Sequence, residues 1–330
     1  MSDGQARPGE GGTDVRRRDG GPGRKGRRRD RDFLREDHPG DSYYGRPIIN
    51  PPVWEEREIA GYLFTGGLAG ASSILAAGAD LTGRSALARG SRLMATGAIG
   101  VSLLALVKDL GRPLRFLNML RVFKPTSPMS VGVWILVGYA PLAAGAAASD
   151  VTGRLPKLGR AAGLGAAALG STVATYTAAL IANTAVPAWH GGRKDLPFLF
   201  AGSAASAAAG WGLIVAPPAE NDPAVRMAVL GALVELGAEK VMERRLGMVA
   251  ETLHEGKAGK RLRVAKALTA AGAATALFAR RHRPAALAAG TALLAGSALT
   301  RFGLFEAGMA SAKDPKYTVD PQRERLRTGG

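Results

Sequence analysis

The chain has 330 residues, 46% of them hydrophobic, a formal net charge of +17, four histidines and no cysteine. Without cysteine there is no disulfide, iron–sulfur ligation or thiolate chemistry in this chain. His38, His190, His254 and His282 fall in tails or near segment ends, so no histidine pair stands at membrane depth on facing helices to hold a haem. The positive charge sits in a basic tail and in arginines flanking apolar segments, with no aromatic-interleaved basic module, which argues against nucleic-acid binding.

From the N-terminus, residues 1–42 form a basic, Gly-rich tail holding Arg16, Arg17, Arg18, Arg24, Lys25, Arg27, Arg28 and Arg29. It has too little apolar surface to offset the entropy of ordering, so it is expected to be disordered. It also lacks the apolar core and small-residue cleavage site of a secretory signal.

Apolar, Ala/Gly-rich segments follow at 57–79, 91–110, 129–149, 159–184, 195–216, 223–243, 263–281 and 284–304. About 20 apolar residues in a helix cross a hydrocarbon core of about 30 Å. The chain therefore reads as an all-α membrane protein of about eight transmembrane helices, a length and number of apolar segments that soluble cores do not use. Runs such as Gly66-Gly67-Leu68-Ala69-Gly70 suit close approach of membrane helices.

Eight crossings put both termini on one side, together with the connections after the second, fourth and sixth helices. Lys108 to Lys124 and the cluster Arg244, Arg245, Lys257, Lys260, Arg261 and Arg263 lie on that terminal side, so basic-residue bias places the termini in the cytoplasm of a multi-pass cell-membrane protein. The opposite connections are short.

The connection Lys108-Asp109-Leu110-Gly111-Arg112-Pro113-Leu114-Arg115-Phe116, continued by Lys124-Pro125-Thr126-Ser127-Pro128-Met129-Ser130, is the most specific stretch. Its X-Pro steps stiffen the loop and stop helix continuation before the third span. Together with Pro51-Pro52-Val53-Trp54-Glu55-Glu56, Gly61-Tyr62-Leu63-Phe64-Thr65-Gly66-Gly67, Tyr176-Thr177, Pro187-Ala188-Trp189, Asp195-Leu196-Pro197-Phe198 and Arg301-Phe302-Gly303-Leu304-Phe305-Glu306, it resembles the NrfD/PsrC family of membrane subunits of molybdopterin oxidoreductase complexes, over roughly residues 43–320.

The resemblance implies two four-helix bundles, 57–184 and 195–304, within a transmembrane domain 43–305 followed by a C-terminal tail 306–330. It further implies a diffusible menaquinone or ubiquinone held in the first bundle, with no haem or iron–sulfur cluster in this chain. The implied partners are an iron–sulfur (4Fe-4S) electron-transfer subunit and a molybdopterin catalytic subunit, and the implied role is to pass electrons between the former and the quinone pool. Tyr176 matches a family tyrosine at the quinone carbonyl, and Asp109 falls near a family acidic residue.

A quinone site needs a hydrogen-bond donor, a proton-exchanging group and an apolar slot. The topology lets Glu58, Tyr62, Asp109, Arg112 and Tyr176 approach one another at one depth, and they are the candidate site residues. Glu58 and Asp109 also have a plain alternative as partners of Arg57, Lys108 or Arg112, and Tyr62 as an interfacial anchor. Trp54, Trp134 and Trp189 read as interfacial belt residues. Arg115, Pro125, Ser127, Pro128 and His190 are candidates for partner docking. Glu235 and Glu239, one turn apart within the sixth span, are candidates for a proton path, with Lys240, Arg244 and Arg245 as possible pairing residues. No nucleophile–base pair, phosphate loop or metal-ligand cluster indicates an independent active site. Two other readings stay open: an ion-coupled secondary transporter or proton channel, and a passive anchor without quinone chemistry.

Overall fold

Proline punctuates this chain. Its ring fixes φ and its missing N–H costs nothing in the first turn of a helix, where that donor has no intrahelical partner. In the computed structural model, which describes residues 48–321 except 51, 53 and 110–117 and the side chain of Asp109, a first-turn proline opens α3 (Pro128–Thr152), α4 (Pro156–Ala182), α5 (Pro187–Gly191), α6 (Leu196–Val215), α7 (Asp222–Leu246) and α10 (Arg283–Lys313). Further helices are α1 (Glu56–Leu81), α2 (Ser85–Asp109), the short α8 (Glu251–His254) and α9 (Gly256–Ala276). The described residues contain no strand.

Eight of these helices are long, and α1, α2, α3, α4, α6 and α10 have the length and apolar composition to cross a membrane. The other two, α7 and α9, carry more charge and pack on each other, where Lys266 of α9 pairs with Glu239 and Glu243 of α7 at 3.2 and 2.6 Å. Four expected boundaries shift markedly, the first being the start of the second helix, which lies at Ser85 in place of 91. The seventh helix begins at Gly256, whose φ of +57° permits the tight turn from α8, and ends before a turn at 277–281. The eighth runs past its expected end at 304 to Lys313, because Glu306 and the small residues after it face protein and not water.

Helices α1 to α4 form one four-helix group, in which α1 packs on α2 and α4, and α3 on α4. Helices α6, α7, α9 and α10 form the other, and α1, α4, α6 and α10 make the seam between them. Lipid offers no hydrophobic drive for helix association, so close packing must supply it. At the α1–α4 crossing Gly70 and Gly170 meet backbone to backbone, and a Cβ on either would overlap the other's carbonyl. That crossing sets the spacing at which the terminal-side ends of α1 and α4 face each other.

Ion pairs collect at the two ends of the helices. On the side of α1's start, Arg261 bridges Glu56 and Glu306, and Arg245 meets Asp195 at 3.2 Å. On the far side, Asp222 holds Arg84 and Arg280 at 3.5 and 2.5 Å, and Glu220 accepts from the Leu87 amide at the start of α2. Arg283 caps the end of α6 by donating to the carbonyls of Leu213, Ile214 and Ala216. With charges tied at both ends and small apolar residues between, this is a multi-pass integral membrane protein.

Candidate functional site

The last two turns of α4 bring Tyr176 towards the first two turns of α1. The hydroxyls of Tyr62 and Tyr176 hydrogen-bond to each other. Tyr62 is only 3% exposed, whereas Tyr176 is half-buried. In such a pair one hydroxyl donates to the other, so one O–H stays free for a third group. The ring of Tyr176 lies on Gly132 of α3, where a Cβ would overlap it. Helix α2 contributes Ser102, fully buried, which donates to the Tyr62 carbonyl at 3.4 Å. Residues from all four helices of the first group thus converge on the tyrosine pair. Ile59, Ala105, Leu106 and Leu180 are the half-buried apolar residues of the same region.

One turn nearer the membrane surface, Glu58 of α1 forms an ion pair with Lys108 of α2 at 2.9 Å. Of the candidates, then, Tyr62, Tyr176 and Glu58 share one end of the first group, and Lys108 is the basic partner that Glu58 takes. Asp109 ends α2 directly after Lys108, with its side chain outside the described residues. Arg112 and Arg115 lie outside the described residues altogether, as does the tail 1–42.

The other expected docking residues occupy the same side. Ser127 caps α3, accepting from the Ser130 amide at 3.5 Å, with Pro128 at the first helical position and Pro125 exposed just before. The Ser130 hydroxyl closes the turn by donating to the Val122 carbonyl at 3.1 Å. His190 is exposed at the end of α5, with Nδ1 3.3 Å from the Ala182 carbonyl. Trp189 corrects an expectation. It is fully buried, its indole N–H donates to the Leu304 carbonyl, and it stacks on Trp54 at 5.8 Å and meets the Phe305 ring at a tilt at 5.5 Å. Such a ring is a packing hub in place of a belt residue, because the extended α10 covers it. Trp134, 38% exposed, does sit at the surface.

A groove of about 270 Å³ opens on this side between Thr252, Lys257, Glu306, Asp314 and Tyr317. Beyond the end of α10, the hydrogen bond from Lys316 to Glu251 raises the lysine's pKa, and burial raises that of the Tyr317 phenol.

The second polar centre lies inside the other helix group. Glu235 is 2% exposed and accepts from Thr300 at 2.8 Å, leaving its second oxygen without a hydrogen-bond partner. Arg301, 1% exposed, donates to the Phe200 carbonyl at 2.8 Å, lies over the Phe200 ring at 3.6 Å and attracts Glu235 electrostatically. Ser203 and Ser297 bond to each other at 2.8 Å nearby. Glu239, one turn along, pairs with Lys266, while Lys240 and Arg244 are exposed and Arg245 binds Asp195.

The match of this chain to the family described as "Polysulphide reductase, NrfD" extends over residues 49–278, and so spans both polar centres except for the α10 residues. The chain belongs to the polysulphide reductase NrfD family. No curated protein matches it. The NrfD match includes Tyr62, Asp109, Tyr176, Glu235 and Glu239, whereas Arg301 and Thr300 lie beyond it. Those two, with Ser203 and Lys266, are the residues that sequence reasoning missed. The available signal was an arginine inside the apolar segment 284–304, and its place three residues before the expected end made it look like an ordinary flank.

Proposed function

We propose that this NrfD-family subunit binds quinone at the Tyr62–Tyr176 pair and exchanges electrons between the quinone pool and an iron–sulfur subunit docked on the terminal side. The observation that carries the reading is the hydroxyl-to-hydroxyl contact of Tyr62 and Tyr176, with one donor to spare, beside half-buried apolar residues at the end of a lipid-embedded helix group. A quinone is a flat apolar ring with two carbonyl acceptors, so it needs a donor at a carbonyl and an apolar slot that opens to lipid. Reduction takes two electrons, from the reduced iron–sulfur partner, and two protons. Tyr176 holds the carbonyl, while Glu58 and Asp109 exchange protons with the terminal-side water, and Lys108 steadies the Glu58 carboxylate. Oxidation of quinol runs the same steps in reverse.

The chemistry of the final substrate belongs to a molybdopterin partner, and the terminal side faces the cytoplasm by charge bias. Arg115, Pro125, Ser127, Pro128 and His190 form the docking rim in this reading. Arg112 is a further candidate for the quinone site by the family resemblance, and Glu235 and Glu239 form a proton path in the second helix group. The domain limits proposed with it are a transmembrane domain from 43, with bundles from 57 and from 195, whose last helix continues past 304 to Lys313.

The test is Tyr176→Phe in the intact, co-purified complex, assayed for quinone turnover. Loss of the donor is expected to lower turnover by about tenfold, the effect of one hydrogen bond worth about 1.4 kcal/mol. Unchanged turnover rejects the assignment and leaves the passive-anchor reading.

A further inference from the structure

Glu235, near the middle of α7, keeps one carboxylate oxygen without a hydrogen-bond partner although the residue is buried. A buried oxygen of that kind is costly unless it gains a donor or takes up a proton. Arg301 of α10 attracts this carboxylate, and α6 sets the hydroxyls of Ser203 and Ser206 beside it. The Ser206 hydroxyl is itself buried and without a partner.

From there the acidic residues of α7 recur at four-residue steps, Glu235, Glu239 and Glu243, so they share one stripe of the helix, each one turn nearer the terminal side than the last. Exposure rises along the stripe. The side chain is 6% exposed in Glu239, 21% in Glu243 and 51% in His254 of α8, whose Nε2 lies 3.7 Å from Glu243. Lys266 of α9 joins the two outer carboxylates, at 3.2 Å from Glu239 and 2.6 Å from Glu243, and holds them within reach of each other. Two carboxylates share one ammonium, so the group keeps a net negative charge that attracts a proton.

The line ends at Glu235. Towards the far side Gly210 of α6 and Gly290 of α10 meet backbone to backbone, and Ala209, Leu213, Ala228 and Leu293 are fully buried in the same layer. Close-packed alkyl groups carry no protons. Towards the first helix group the guanidinium of Arg301 lies against Gly67 of α1, and a fixed positive charge there repels a proton.

We propose that the proton path of the second helix group is a well open to the terminal side alone, with His254 and Glu243 at its mouth, Glu239 as its relay and Glu235 as the store at its closed end. Terminal-side water gives a proton to Glu243 or to His254 beside it, the proton passes to Glu239 and then to the unpartnered oxygen of Glu235, and each carrier releases the proton it accepted. The reverse steps empty the store. A well of this form exchanges protons with one side and moves none across the membrane. It rests on the reading of Glu235 and Glu239 as a proton path and is independent of the quinone site.

The test uses vesicles that hold the intact complex in one orientation, with the pH stepped on one side at a time. Infrared difference spectra follow the protonated-carboxyl band of Glu235, identified by its loss in Glu235→Gln, or by its shift in Glu235→Asp where the first variant fails to fold. The band should respond to a terminal-side step and stay unchanged after a far-side step. Glu239→Gln should slow that response about a hundredfold, the low end of what one positioned proton-transfer group contributes, and Glu243→Gln serves where the first variant fails to fold. An unslowed response in these variants overturns the route. A band that follows far-side pH overturns the well and keeps the path reading, whereas a band that follows neither side overturns both.

Discussion

The two polar centres of this molecule differ in how they are satisfied. The tyrosine pair sits at helix ends, its members bond to each other, and the nearby ion pair of Glu58 has a partner, Lys108, that is 77% exposed. Glu235 and Arg301 lie sealed inside the second helix group with three nitrogen and oxygen atoms that lack hydrogen-bond partners. A helix end near the bilayer surface lets water and lipid-soluble molecules reach polar groups cheaply, whereas a sealed interior makes each unpartnered group costly. The first centre is thus built for a visiting ligand, whereas the second is closed to one and has room only for the protons that the proposed path carries.

The sharpest way to break the comparison is to remove one charge from the sealed centre. Arg301→Leu removes the positive charge that attracts Glu235 and leaves a buried carboxylate uncompensated, a loss of about 3 kcal/mol. Thermal unfolding of the detergent-solubilised protein should show a large loss of Tm, which the double variant Glu235→Gln/Arg301→Leu recovers in part. A single variant with unchanged Tm would mean that water reaches this centre.

A smaller effect is expected where the tyrosine pair is held by shape. Gly132→Ala pushes a methyl group into the Tyr176 ring, and overpacking of this kind costs about 1–3 kcal/mol. Because the ring must tilt, quinone turnover should fall more than stability does. A variant that loses stability but keeps the wild-type turnover per folded complex would detach Tyr176 from the site. Smaller again is Ser127→Ala, which removes the α3 cap for about 0.5 kcal/mol, the low end for caps, since the bond is long. Lys108→Met, at the exposed partner of Glu58, should leave Tm unchanged and shift only the pH dependence of turnover.

The sequence carried the architecture well because apolar length and proline placement are local signals. The Pro-Thr-Ser-Pro turn marks the start of α3, and the spans at 57–79 and 129–149 fall inside α1 and α3. Tyr62, Tyr176 and Glu58 were legible as neighbours because an even number of crossings puts their helix ends on one side. What the sequence could not carry was side-chain pairing across elements. Lys266 reads as an ordinary charge of a short segment, yet it is the partner of Glu239 because α7 and α9 cross there. Arg301 stood near the end of an apolar run, and the packing of α10 on Phe200 of α6 and Gly67 of α1 buries it.

The most direct test of the central claim is to label the intact complex with a photoreactive quinone and map the modified peptides by mass spectrometry. The account predicts labels on α1 near Tyr62 and on α4 near Tyr176, lost in competition with unlabelled quinone. Labels confined to α6, α7, α9 or α10 would contradict it.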